Sequence, residues 1–230
     1  MAQAWLAYEE YCYPQKEFTW DELFGGVYIG GVDLSATTDL SAAKAIIRRP
    51  DDPNIYVLQR YWIPESKLES ADDKTAGAKY LEWAQQGLLT ICDGNEVDIT
   101  QIADWFYVLY KNYKLRPLKI GYDQRFAKPF LERCGDYGFD TEMIMQGKAL
   151  SNAMKLVEAD FHSKKIQYNA DPVDVWNFGN ICFKMDGVGD IQPVKAPGQH
   201  AKRIDGAVAL IIAYETMRRY RGEYNAAIGG

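Results

Sequence analysis

The chain has 230 residues, of which 47% are hydrophobic and 25% are charged. This balance is typical of one large globular domain or two small ones, and it excludes an intrinsically disordered protein. The 26 Lys and Arg residues face 32 Asp and Glu residues, so the formal net charge is −6. That charge excludes a histone-like protein that coats nucleic acid by bulk neutralisation of phosphate. It is compatible with a nucleic-acid enzyme that gathers carboxylates around metal ions.

Other classes of protein are excluded because the sequence lacks their characteristic patterns. No apolar run approaches the roughly 20 residues of a membrane-spanning helix, so no membrane partner is expected. The N-terminus is polar and aromatic, which is not the pattern of a secretion signal. The four cysteines stand far apart in sequence and are predicted to be free thiols. Neither of the two histidines, His162 and His200, lies in a recognisable nucleophile motif.

Residues 1–26 are predicted to be a lead-in or linker segment. They carry too many large apolar side chains for a free tail, so we expect them to pack on the domain or on a part of the protein outside this chain. The domain itself is predicted to span residues 27–221, and residues 222–230 are predicted to be a flexible tail.

Residues 27–62 have the pattern of an antiparallel meander. Val27–Asp33 is a short buried strand that ends on an acid, and Ser41–Arg49 and Ile55–Trp62 are β-rich runs joined by a Pro- and Asp-containing turn. In the loop after the first strand, Ser35, Thr37 and Thr38 are predicted to close a turn, with contact to a phosphate or a metal-held water as the alternative.

Helical and strand patterns alternate through the rest of the chain. Helices are predicted over 74–86, 98–113, 127–137, 150–162, 173–185 and 201–219. Strands are predicted over 88–92, 118–123, 139–145 and 191–194. A meander followed by this alternation predicts an α/β protein, with a mixed central sheet of antiparallel and then parallel strands flanked by helices.

Three aspartates lie where a predicted strand ends or a predicted helix begins. Asp33 ends the strand VYIGGVD, Asp123 ends the strand LKIGYD, and Asp205 lies in the first turns of the last long helix. An acid at the carboxyl end of a strand projects into the crevice where α/β sheets usually bind ligands. If the two strands are neighbours, the carboxylates repel each other, and a divalent cation such as Mg²⁺ or Mn²⁺ is the natural compensation. Each aspartate taken alone could instead be a turn former or a helix cap.

Six blocks of sequence, in this order, carry a resemblance to a known family. They are GGVDLSATTDLSA, VLQRYWIPE, IGYDQRFA, QGKALSNAMKLVEADFHSKKIQYN, VWNFGN and KRIDGAVALIIA. Together they resemble the nuclease domain of the large terminase subunit of tailed bacteriophages, over about residues 25–220. The resemblance implies an RNase H-like fold.

The same resemblance implies a metal-dependent endodeoxyribonuclease. Asp33, Asp123 and Asp205 match the metal-binding acids of the family, with Asp33 bridging two ions and the other two each holding one. Asp39 matches a second acid six residues past the first, and it is either an auxiliary ligand or a hairpin-turn former. Two such ions hydrolyse a phosphodiester without a protein nucleophile.

The implied role is the cutting of concatemeric viral DNA during genome packaging, in the cytoplasm of the bacterial host and not after secretion. The implied partners are double-stranded DNA, the packaging ATPase domain, the small terminase subunit and the portal protein. The chain contains no GxxxxGK[ST] motif, so an isolated nuclease domain is expected, with residues 1–26 as the linker from a missing ATPase domain.

Several basic residues near these blocks are candidates for contact with DNA phosphate. They are Lys148, Lys155, Lys195, Lys202 and Arg203. For each of them, an ordinary solvated position on a helix or loop is the alternative.

Two other functions remain open from the residues alone. A junction resolvase or transposase of RNase H-like fold would use the same three acids. A non-catalytic docking module of a packaging motor would keep them as structural residues, and it would bind neither Mg²⁺ nor Mn²⁺.

Overall fold

The computed structural model describes residues 1–37 and 39–229, so Thr38 and its predicted role lie outside the described residues. The strands are β1 (Gln3–Ala4), β2 (Val27–Asp33), β3 (Ser41–Arg48), β4 (Ile55–Pro64), β5 (Leu89–Cys92), β6 (Arg116–Tyr122), β7 (Thr141–Met143), β8 (Ile166–Gln167), β9 (Ile181–Met185) and β10 (Ile191–Lys195). The helices are α1 (Tyr8–Tyr11), α2 (Ala71–Thr75), α3 (Tyr80–Gln85), α4 (Thr100–Tyr113), α5 (Lys128–Asp136), α6 (Ser151–His162), α7 (Pro172–Asn180), α8 (Asp205–Arg219) and α9 (Arg221–Gly229). Short 3-10 turns lie at Trp20–Leu23, Glu65–Lys67 and Gly147–Leu150. Within residues 1–37 and 39–229, no helix has both the length and the apolar character needed to cross a membrane.

The central sheet has the strand order β5-β4-β3-β2-β6-β7, and β8 adds to β4. Strands β2, β3 and β4 form the antiparallel meander, whereas β6 lies parallel to β2 and β7 parallel to β6. This arrangement confirms the mixed sheet flanked by helices that the sequence predicts.

Helix α8 packs directly against the middle of this sheet because glycine allows the close approach. A Cβ atom added at Gly31 of β2 would lie 2.4 Å from the Ala209 carbonyl oxygen. Only a residue without a side chain fits at that crossing. Apolar residues of α6, α7 and α8 fill one face of the sheet, and those of α4 and α5 fill the other.

The lead-in segment packs on the domain. Strand β1 pairs with β9, which pairs with β10 in a second, three-stranded sheet within the part of the chain that the structure describes. Six apolar side chains of residues 1–26 are buried, namely Trp5, Leu6, Tyr11, Tyr13, Phe18 and Leu23. Of the two expectations for this segment, the structure therefore shows packing on the domain.

Three predicted elements differ from the structure in more than their bounds. The helix predicted over 74–86 is two short helices, α2 and α3, because the chain turns between them at Gly77, whose φ is +94°. The helix predicted over 173–185 ends at Asn180, because Ile181–Met185 finds a strand partner in β10, a pairing that local periodicity does not reveal. The tail predicted over 222–230 is instead helical through Gly229. Its Tyr224 is fully buried, and its hydroxyl donates to the Val27 carbonyl oxygen at 2.9 Å. This anchor to the sheet orders the segment.

Candidate active site

Two of the predicted acids meet at the carboxyl edge of the central sheet. Strands β2 and β6 are parallel neighbours, and their last paired residues are Val32 and Tyr122. Asp33 and Asp123 are the next residues along the two strands. The strand register therefore sets both carboxylates at the same edge, where ligands of α/β sheets bind.

The third acid reaches this edge because α8 begins there. Asp205 is the first residue of α8 and is only 6% exposed. The following residue must be glycine, since a Cβ atom at Gly206 would lie 1.9 Å from the Tyr61 hydroxyl oxygen. The close approach to β4 fixes the position of the helix N-terminus.

The acids line two adjoining clefts. Asp33, Asp39 and Asp205 line a cleft of about 520 Å³, together with Lys195 of β10. Asp123 lines a neighbouring cleft of about 460 Å³. The side chains of Arg125 and Gln146 line both clefts. The acidic edge is thus open to solvent and wide enough for a substrate group.

Burial and mutual repulsion perturb these carboxyl groups. Burial, and then the negative charges of Asp205 and Asp123, raise the pKa of Asp33 well above its ordinary value. Burial, and then the charge of Asp39, raise the pKa of Asp205 to about 7. Burial alone would raise the pKa of Asp39, but the hydrogen bond and charge of Lys195 and the charge of Arg203 lower it below its ordinary value.

The chain itself supplies cations to two of the acids. Asp123 accepts a hydrogen bond from Arg125 Nε at 3.1 Å, and Asp39 accepts one from Lys195 Nζ at 2.6 Å and a second from Arg203. Among residues 1–37 and 39–229, no three His, Cys, Asp or Glu side chains lie close enough to hold one metal ion together. Side-chain cations of the chain thus hold two of the four acids, Asp123 and Asp39.

The donor set nevertheless fits a divalent cation. Within the described part of the chain, Asp205 Oδ2 is buried and has no hydrogen-bond partner. A buried, unpartnered carboxylate oxygen among like charges is an unfavourable arrangement unless a cation is bound. The donors are all carboxylate oxygens, which suit Mg²⁺ or Mn²⁺.

The predicted DNA contacts are scattered around these clefts. Lys195 lines the larger cleft, whereas Lys202 lines a separate one beside α2. Lys148 is exposed and pairs with Asp186 at 2.8 Å. Lys155 is also exposed and donates to the Gly189 carbonyl oxygen at 3.0 Å.

Arg203 is misplaced for the predicted contact with DNA. It is only 5% exposed, and its guanidinium donates to Asp39 and to both oxygens of Asp73, at 2.8 and 3.0 Å. The prediction placed Arg203 on the surface of a helix. Helix α8 instead begins two residues later, and the Arg203 side chain packs in the protein interior. It connects the loop before α8 to α2.

The loop residues Ser35 and Thr37 differ from each other. The Ser35 hydroxyl accepts from the Asp39 N–H at 3.0 Å, so it closes the turn as predicted, whereas Thr37 is exposed.

Sequence reasoning missed two residues that line the larger cleft, Arg125 and Phe126. Their position two and three residues beyond a strand-end acid is the signal that could have found them.

Comparisons with known proteins identify the family of the chain. The family model described as "Terminase large subunit, endonuclease domain" matches residues 3–220. Protein YmfN of Escherichia coli (strain K12) is 29% identical over 217 residues, which are 90% of this chain and 47% of that protein. The large terminase subunit of Enterobacteria phage HK97 is 26% identical over 191 residues, which are 81% of this chain and 36% of that protein.

Solved structures show the same fold. The crystal structure of the HK97 large terminase superposes with a TM-score of 0.75 at 22% identity, over 94% of this chain and 44% of that one. The large terminase nuclease of thermophilic phage G20c, with bound magnesium, gives a TM-score of 0.54 at 11% identity, over 93% of this chain and 97% of that one. The fold is therefore RNase H-like. The chain belongs to the family of terminase large subunit endonuclease domains, and it spans less than half the length of the two curated relatives.

Proposed function

We propose that this domain is a metal-dependent endodeoxyribonuclease that cleaves concatemeric viral DNA during genome packaging. The observation that carries the proposal is the meeting of Asp33 and Asp123 at one sheet edge, beside an Asp205 that has an unpartnered oxygen among the described residues. Family membership supports the same reading, because the matched model describes an endonuclease domain.

Asp33, Asp123 and Asp205 would hold two Mg²⁺ or Mn²⁺ ions, with Asp39 as an auxiliary ligand. When bound, such ions activate water and stabilise the leaving oxygen of a phosphodiester. The magnesium bound to the G20c nuclease, which shares this fold, supports a divalent cation here.

Side chains at the rim of the clefts would bind and orient the DNA. The side chain of Arg125 is 77% exposed although it pairs with Asp123, so its remaining N–H groups can reach a backbone phosphate. Lys195 lies across the larger cleft, where it can do the same. Because the net charge of the chain is −6, affinity for DNA would also depend on partners, namely the ATPase domain, the small terminase subunit and the portal. The place of action would be the cytoplasm of the bacterial host.

Plasmid cleavage in Mn²⁺ or Mg²⁺ tests the proposal. Asp123→Asn removes a carboxylate charge at the site, so we expect cleavage to fall at least about a hundredfold, equivalent to about 3 kcal/mol. EDTA should abolish cleavage by the wild type. Nicked and linear products on agarose gels measure both effects.

Asp93→Asn is the matched control. Asp93 also directly follows a strand, β5, but it is exposed and lies outside the two acidic clefts. Its substitution should leave cleavage unchanged. Full activity of Asp123→Asn would contradict the site assignment, and activity in EDTA would contradict the use of a metal.

A further inference from the structure

The segment VWNFGN in helix α7 contains an asparagine that contacts the start of α8. Asn177 is fully buried. Its Nδ2 donates to the Val173 carbonyl oxygen at 2.8 Å, and its Oδ1 accepts from the Gly206 N–H at 2.9 Å. Reversing the amide would place an N–H group against another N–H group, so the two contacts fix its orientation.

A second asparagine lies three residues further along the same helix. Asn180 is 8% exposed, and its Nδ2 donates to the Arg203 carbonyl oxygen at 3.0 Å. Residues three apart on a helix lie on the same face. The two asparagines thus hold the main chain at Arg203 and at Gly206, on either side of Asp205.

Helix α8 depends on this support because the residue at its N-cap position has no side chain that can cap it. The first N–H groups of a helix have no acceptor within the helix. The residue at the N-cap position is Ile204, which makes no side-chain capping bond. Asn177 supplies an acceptor from another helix, and Asp205 Oδ2 is left without a partner among the described residues.

We propose that Asn177 and Asn180 are positioning residues for Asp205. By bonding to the main chain at Arg203 and Gly206, they leave Asp205 Oδ2 without a partner in its own helix, so that this oxygen stays available in the cleft. A free carboxylate is what a divalent cation requires. The metal part of this inference rests on the proposed function, whereas the capping part does not.

Calorimetric titration with Mn²⁺ tests the metal part. Loss of a hydrogen bond that orients a ligand typically weakens metal binding 10–100-fold. Asn177→Ala should therefore bind Mn²⁺ at least about tenfold more weakly than the wild type, and Asn180→Ala should be weakened by a smaller factor. Wild-type affinity in both variants would overturn the inference, even if both melt at lower temperatures.

Tyr214→Phe is the matched control. Tyr214 also lies on α8, but its hydroxyl donates to Asp160 of α6 at 2.8 Å and does not touch residues 203–206. Its loss removes a buried hydrogen bond from the same helix without disturbing the cap. Mn²⁺ affinity should not change, and a loss equal to that of Asn177→Ala would show that any loosening of α8 has the same effect.

A double-mutant cycle in EDTA tests the capping part without metal. In the wild-type background, Asp205→Ala should leave the melting temperature unchanged or raise it. In the Asn177→Ala background, the Gly206 N–H loses its acceptor and the Asp205 carboxylate takes the place of Asn177, so Asp205→Ala should lower the melting temperature by about 2–4 °C. Equal effects in both backgrounds would overturn the inference. A wild type that fails to bind Mn²⁺ would contradict the proposed function, and the cycle would then decide the role of the asparagines by itself.

Discussion

The molecule contains two clusters of buried acids that differ in how their charge is compensated. In the first, beneath α7, Lys44 of β3 forms an ion pair with Asp174, and both side chains are fully buried. The hydroxyl of Tyr61 donates to the same carboxylate oxygen. In the second, at the sheet edge, Asp33 and Asp205 face one another's charge and that of the neighbouring acids.

The difference separates a structural role from a binding role. A buried carboxylate with a resident lysine is neutralised by the fold itself, whereas carboxylates that repel one another keep a need for a cation from outside. Asp174 also keeps an oxygen without a partner in the described residues, so an unpartnered oxygen alone does not distinguish the clusters. What distinguishes them is the paired cation: Asp174 has Lys44, whereas among the described residues neither Asp33 nor Asp205 forms an ion pair with a side-chain cation.

Lys44→Met is expected to have the largest effect on stability, because it leaves the Asp174 charge buried and unpaired. Loss of one partner of a buried ion pair typically costs about 3–5 kcal/mol. Urea unfolding should show this loss as a lower midpoint at an unchanged slope.

Lys74→Met is the matched control for this variant. Lys74 pairs with Glu69 at 2.8 Å, but their side chains are 55% and 83% exposed. Its loss should cost at most about 1 kcal/mol. If the two variants lose similar stability, the Lys44 pair does not neutralise a buried charge as described.

Asp171→Asn should alter how stability depends on pH. Burial, and then the charge of Asp174, raise the pKa of Asp171 from 3.8 to about 6. Because the folded-state pKa is the higher one, its contribution to stability is complete below about pH 4 and is lost as the pH rises through about 6. The shift corresponds to about 3 kcal/mol.

An asparagine at this position can still cap α7, since the Asp171 side chain accepts from the Val173 N–H at 2.8 Å. The stability of Asp171→Asn relative to the wild type should therefore rise by about 3 kcal/mol between pH 4 and pH 7 and then level off. Urea unfolding at each pH measures the difference. A difference that is constant across this range would contradict the raised pKa.

The sheet and the strand-end acids are predictable from the sequence because their signals are local. Alternation and turn residues mark β2 and β6, and the acids that end them follow directly. The site assignment itself stays a prediction until cleavage is measured. Arg203 shows where local reasoning ends, because its position depends on Asp73, 130 residues away in sequence.

Lys44 shows the same limit. The neighbours of Lys44 on both sides of it in the strand are apolar, and a solvated or edge position is the ordinary expectation for a lysine. Only the packing of α7 on β3 brings Asp174 to it. Long-range pairing likewise converts the end of the helix predicted over 173–185 into β9, and it anchors the predicted tail through Tyr224.

Asp205→Ala should change stability in the opposite direction from the loss of a structural acid. Burial and the charge of Asp39 raise the pKa of Asp205 to about 7, so its contribution to stability is lost as the pH rises through 7, and at pH 8 its ionised form opposes folding. In EDTA at pH 8 the variant should melt no lower than the wild type, and its advantage should shrink at pH 5. Asp174→Ala, which strands the Lys44 charge, should melt several degrees lower in the same calorimetric scans. If the melting temperature of Asp205→Ala falls as far as that of Asp174→Ala, Asp205 supports the fold rather than a cation, and the contrast between the two clusters disappears.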